Sequence, residues 1–204
     1  MTLIGKEVVN IWKLFIKSPN NKLNVGQQRD KYIPNSSLTN KESLQAFNTL
    51  GILIGICKNV FELIDLNLSI IVWKYLINEP INWSDIALID QSAVNVIKYI
   101  EDAKDEDLEG FDQGFVCPLS DGSEKVLIPN GELVKVTREN RALYAKLFKE
   151  CRCNEFNLQL SELKAGFRKI VNTNRLVYHS ANSIDEKLTG SSNVNLCFFE
   201  NKID

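Results

Sequence analysis

Histidine is almost missing from this chain: His179 is the only one in 204 residues. That scarcity removes most metal sites and most acid–base pairs that rely on an imidazole. Cysteine is present but odd in number, five residues at irregular spacing, so no disulfide framework is expected. Cys151 and Cys153 are the one close pair, and without a second pair a tetrahedral zinc site is not expected. An excess of basic residues is also lacking, with 24 Lys and Arg against 26 Asp and Glu, so the chain offers no nucleic-acid footprint. Long apolar runs are absent too. The longest, Leu63–Leu76, is broken by Asp65, Asn67, Ser69 and Lys74 and falls short of the roughly 20 apolar residues of a membrane span. The opening residues lack the basic start, apolar block and cleavage site of a signal peptide, so a cytoplasmic or nuclear location is expected. There is no internal repeat and no low-complexity block.

What remains is an ordinary globular composition, 44% hydrophobic and 25% charged, in a chain long enough for one sizeable core and a small subdomain. Val8, Val9, Ile11, Trp12 and Phe15 make an amphipathic opening segment, broken at Ser18-Pro19. A polar stretch then runs to Asn40 as loop or short strand. Thr39 or Asn40 can cap a helix on which Leu44, Phe47, Leu50 and Ile54 recur at the helical period. Gly51 and Gly55 lie one turn apart there and let another helix come close. Leu66–Leu76 is apolar nearly all round and belongs in the middle of the fold, ended by Glu79-Pro80. Ser84 or Asp85, and then Asp90, are suited to capping rather than to acid–base chemistry. From Gln91 the pattern changes: a modest helix carries Val94, Val96, Ile97 and Ile100, the acidic run Glu101–Asp107 follows, and Val126–Ile128 and Leu133–Val136 read as short strands. Beyond Cys153, Phe156, Leu160, Leu163, Phe167 and Ile170 define the cleanest amphipathic helix, predicted to return onto Leu44–Ile54. Gly190 can close a last helix.

The stretch Pro129–Arg152 organises the rest. Its extended part stops at Thr137, a suitable N-cap with Glu139 in the first turn, and a helix follows. Leu143 and Leu147 stand one turn apart, with Tyr144 and Phe148 beside them, and together form a stripe wider than one buried seam needs.

This stretch resembles the N-terminal lobe of HECT-type ubiquitin ligases, in which a glycine-containing turn, a short strand and a Val-Thr-x-x-Asn helix start follow one another, here Gly131, Val136, Thr137 and Asn140. Upstream, Leu50–Gly55 resembles the family's Gly-x-x-x-Gly helix, Leu66–Lys74 the apolar helix after it, and Ile81–Asp85 with Ile89-Asp90 its Asp signature. Downstream, Gln159, Gly166-Phe167 and Leu188–Gly190 fall in the same order. Leu14–Asn20 and Arg29–Asn35 look most like the HERC/HECTD3-type branch.

The resemblance implies a mainly α (α+β) fold: residues 1–90 and 154–204 as the large helical subdomain, and 91–153 as a small inserted subdomain that binds the ubiquitin-conjugating enzyme (E2). It implies docking of a ubiquitin-charged E2, passage of ubiquitin to a cysteine on the C-terminal lobe, and then to a substrate lysine. None of Cys57, Cys117, Cys151, Cys153 or Cys197 sits in the family's catalytic context, so that cysteine is expected outside this sequence and the lobe is expected to be inactive alone. The implied E2 groove comprises Tyr144 and Phe148, a face of the Gln91–Ile100 helix with Val96, Ile97 and Ile100, and Leu108 and Phe111. E2, ubiquitin and substrate proteins are the implied partners, without cofactor, metal, nucleic acid or membrane. Two other readings stay open: a non-catalytic helical interaction module without an E2, in which Tyr144 and Phe148 are both core, and a self-contained cysteine enzyme using His179.

Overall fold

The computed structural model describes residues 13–60, 62–64, 66–104, 112–172 and 180–190. The first twelve residues of the amphipathic opening, Leu108, Phe111, His179 and Cys197 lie outside them. The described part is mainly helical with two small sheets, as expected.

Ser18-Pro19 does not simply break the chain; it starts a short helix. The Ser18 hydroxyl accepts from the Asn21 amide and Pro19 fills the first helical position of α1 (Pro19–Leu23). On either side, β1 (Phe15–Lys17) and β2 (Tyr32–Pro34) pair antiparallel, with Ile16 opposite Ile33. Asn40 then caps α2 (Lys41–Val60), its Oδ1 accepting from the Ser43 amide at 2.8 Å. The fully apolar segment contributes α3 (Ile70–Leu76), whose Ile71, Val72, Trp73 and Leu76 are all buried. Asn82, rather than Ser84 or Asp85, begins α4 (Trp83–Ile89), and Asp85 closes the turn by accepting from the Asn82 amide. Asp90 caps α5 (Gln91–Asp102) as predicted, through the Ala93 amide at 3.0 Å.

In the next part, β3 (Val116–Pro118) pairs antiparallel with β4 (Glu124–Val126), two residues earlier than the expected Val126–Ile128 strand. Gly131–Leu133 form a 3-10 turn, and of the expected strand Leu133–Val136 only a single bridge from Lys135 to Gly114 is present. Then come α6 (Arg141–Cys153), α7 (Asn157–Ile170) and α8 (Ala181–Thr189), the last ending on Gly190 at φ +83°.

Among the described residues, two hydrophobic cores result. The larger gathers Phe15, Ile33, Phe47, Leu50, Ile54, most of α3, and Leu160, Leu163 and Phe167 of α7. Its centre is the predicted pairing of α2 with α7, so close that a Cβ at Gly51 would strike the Leu163 carbonyl and one at Gly166 the Asn48 carbonyl. The smaller core holds Ile97, Ile100, Phe115, Cys117, Val136, Tyr144, Ala145 and Phe148. Trp83 touches both.

Asn20 ties the amino-terminal hairpin to the α4–α5 junction. Its amide nitrogen donates to the carbonyls of Gln27, Ala87 and Leu88 at 3.0–3.2 Å, and its oxygen accepts from the Gln91 amide at 2.7 Å. No other side chain of this size offers donors and acceptor in that arrangement. Asn20→Ala should therefore cost about 2 kcal/mol in urea unfolding, the cost of leaving such buried groups unpaired.

Candidate docking site on the small core

The start of α6 is set by an asparagine clip rather than by the Thr137 hydroxyl. Asn140 Oδ1 accepts from the Thr137 amide at 2.7 Å and its Nδ2 donates to the Lys135 carbonyl at 2.9 Å, while the Thr137 hydroxyl turns to Glu139. Thr137 still contributes its carbonyl, which accepts from the Arg141 amide at 2.9 Å. The Val-Thr-x-x-Asn spacing is thus what one side-chain amide needs to span the entry to the helix.

From that start, α6 directs Tyr144, Ala145 and Phe148 inward. Tyr144 stacks edge-on to Phe115 at 5.3 Å, and its hydroxyl donates to the Val116 carbonyl at 3.1 Å. Burial pushes its phenol well above the ordinary tyrosine range, so it acts as a neutral donor. Phe148 lies edge-on to Trp83 at 6.2 Å, and Lys149 covers Trp83 while pairing with Glu101 at 2.6 Å. Arg141 donates to the Ala103 carbonyl, so α6 is tied at two points to the C-terminal end of α5.

Of the residues expected to line the groove, Tyr144, Phe148, Ile97 and Ile100 are brought together, and all four are core. Val96 stands one turn before Ile100, at the edge of the buried face of α5, and is 46% exposed. Leu108 and Phe111 fall outside the described residues. The apolar side chains that do face solvent on these helices are Val96, Tyr99 and Leu143, the last two each 50% exposed. Tyr99 was not singled out from the sequence, although it stands three residues from Val96 and on the arc away from Ile97 and Ile100.

A buried polar cluster joins this core to the larger one. Arg152, with no exposed side-chain surface, pairs with Asp90 at 2.8 Å and Glu155 at 3.0 Å and donates to the Pro118 carbonyl and the Ser120 hydroxyl. Glu155 also accepts from the Ser120 amide and the Ser36 hydroxyl. Sequence spacing gave no sign of this cluster, because its members are up to 119 positions apart.

Among the described residues no group of three metal-ligating side chains converges. The Cys57 and Cys153 thiols are both pushed up by burial, the reverse of an activated nucleophile. No described helix is long and apolar enough to cross a membrane.

The described residues are mainly helical with a small α+β part, the fold class that the sequence predicted. Comparison with known families gives a match of residues 3–204 to the HECT-domain (ubiquitin-transferase) family, and the chain belongs to that family. It is similar to the E3 ubiquitin-protein ligase HERC2 of Mus musculus, 27% identical over 185 residues that cover 90% of this chain and 4% of that protein. It is also similar to the E3 ubiquitin-protein ligase hyd of Drosophila melanogaster, 28% identical over 83% of this chain and 6% of the relative. HACE1 of Gallus gallus is 29% identical over 68% of this chain and 15% of its own length. The chain thus spans a small fraction of each of these relatives.

Proposed function

We propose that this chain is the N-lobe of a HECT-type E3 ubiquitin-protein ligase, with 91–153 as the E2-docking subdomain and 1–90 with 154–204 as its support. The observation that carries this reading is the family match across residues 3–204. The lobe receives a ubiquitin-charged E2; ubiquitin then passes by thioester exchange to a cysteine of the ligase's C-lobe, and from there to a substrate lysine. Tyr144, Phe148, Ile97 and Ile100 form the floor of the docking groove with Val96 at its edge, and Leu108 and Phe111 complete the set of docking residues. A rigid aromatic floor with a few exposed anchors suits a partner that must leave after discharge, since such interfaces draw most of their energy from few residues.

Because Tyr144 and Phe148 are buried, truncating them would unfold the core as well as alter the groove. The test uses the exposed side chains instead. Titration of the chain with a panel of E2 proteins, followed by NMR or calorimetry, should show saturable binding, and Val96→Asp with Leu143→Ala should weaken it about tenfold or more, as for removal of an interface anchor. The same burial is what a helical interaction module without an E2 partner anticipates. A folded wild type that binds no E2 would favour that module.

A further inference from the structure

Cys117 and Cys151 sit on facing elements of the small core. Cys117 is the middle residue of β3 and fully buried, and its two neighbours are both bonded to α6: Val116 by Tyr144, Pro118 by Arg152. Cys151 follows Tyr144 and Phe148 at steps of four and three, so it shares their inward face one turn further on. It is only half-buried, and it packs against the core that contains Cys117. Cys153, two positions on, belongs to the other core and cannot compete.

The chemistry of the two thiols is unequal in a useful direction. The Cys117 thiol donates to the Pro118 carbonyl at 3.7 Å, and its interaction with the Cys151 sulfur, with Lys125 adding positive charge, holds Cys151 below the ordinary thiol range against the effect of burial. Cys117 is held above that range by its interaction with Cys151 and by burial. One sulfur is therefore a reachable nucleophile, and the other is a protected thiol beside it.

We propose that Cys117 and Cys151 are a peroxide-responsive dithiol that closes to an intramolecular disulfide between β3 and α6. In the first step the Cys151 thiolate attacks hydrogen peroxide: an S–O bond forms, the O–O bond breaks, and the hydroxide released is protonated to water. The sulfur is oxidised to a sulfenic acid as the peroxide is reduced. In the second step the Cys117 sulfur attacks the Cys151 sulfur, the S–S bond replaces the S–O bond, and the leaving hydroxide takes the Cys117 proton as a second water. The product links the strand under Tyr144 to the last turn of its helix.

The test treats the whole 204-residue chain with hydrogen peroxide and maps its peptides by mass spectrometry without reduction. The expected result is a Cys117–Cys151 cross-linked pair, lighter by two hydrogens and restored by dithiothreitol. Without oxidant, iodoacetamide near neutral pH should label Cys151 roughly tenfold faster than Cys57 or Cys153, the effect of about one unit of acidity on thiolate population. In Cys117→Ala, chosen because a small apolar residue suits the buried site, Cys151 should stop at a sulfenic acid that dimedone traps. Cys151→Ser, at the half-exposed position, should abolish both products. Oxidation of Cys151 without the cross-link in the wild type, or a cross-link through other cysteines, or equal reactivity of all thiols, overturns the proposal.

Discussion

Replacing Arg152 with methionine is expected to destabilise the chain by about 3–5 kcal/mol, the cost of removing one partner from a buried ion pair. Methionine can fill the space of the aliphatic stem, so little of the loss comes from packing. The loss comes from what stays behind: Glu155, whose side chain has no exposed surface, and Asp90, which is 12% exposed. The Pro118 carbonyl and Ser120 hydroxyl also lose their donor. Lysine should not rescue, because one ammonium cannot reach acceptors spread round a planar guanidinium. The pH dependence has a definite sign. Burial already pushes the Glu155 carboxyl above its ordinary value while Arg152 pulls it back, so without Arg152 it rises further. An acid whose folded pKa is raised contributes stability below its unfolded value and loses it as pH rises through the folded value. The deficit of Arg152→Met should therefore be largest near pH 7 and shrink as pH falls toward the ordinary Glu value of about 4.3. Urea unfolding of wild type and variant at several pH values checks both size and trend. A deficit under about 1 kcal/mol at neutral pH would show the cluster to be no more than a surface pair.

The contrast between this cluster and the elements around it shows which parts of the fold a sequence displays. The α7 helix was legible because five apolar residues repeat at the helical period, and its partner was legible because Gly51 and Gly55 have no other reason to recur on a helix. Asp90 was legible as a cap because the cue is local, a carboxylate just before a periodic run. Arg152 was not, since nothing within ten residues separates a buried arginine from a solvated one at a helix end. The misread elements failed for a related reason. Leu133–Val136 has the composition of a strand but receives only one bridge, because the Gly131–Leu133 turn carries it past the sheet. Pro19 was read as a breaker although Ser-Pro is equally a helix start, which here it is. At the candidate site the apolar stripe of α6 was plain, but its division was not: Tyr144 and Phe148 face the core and Leu143 faces solvent. Periodicity gives the angle of a stripe, and only the position of neighbouring elements decides which edge of it is covered.

Gly166→Ala should be among the most damaging single changes in the larger core, although alanine is the better helix former. In an isolated helix the substitution would gain about 1 kcal/mol. Here the added methyl would collide with the backbone carbonyl of Asn48, and a backbone carbonyl cannot rotate away as a side chain can. Separating α2 from α7 would loosen Phe47, Leu50, Leu163 and Phe167 together, all fully buried. Overpacking of this kind typically costs 1–3 kcal/mol, and with backbone on one side we expect about 3 kcal/mol or more after the helix-propensity gain is subtracted. Gly51→Ala should be nearly as severe, for the reciprocal reason, since its methyl would meet the Leu163 carbonyl. Gly55→Ala should cost less than either: its added methyl would meet the Ile170 Cβ at 2.8 Å, with the Phe167 carbonyl at 3.3 Å, a looser approach than the backbone carbonyls at 1.9 and 1.8 Å that face Gly51 and Gly166. Thermal or urea unfolding of the three variants gives the order. If Gly55→Ala were as damaging as Gly166→Ala, close backbone contact would not be what sets the α2–α7 distance; if all three were neutral, the two helices would tolerate a separation that the larger core, as packed, does not provide.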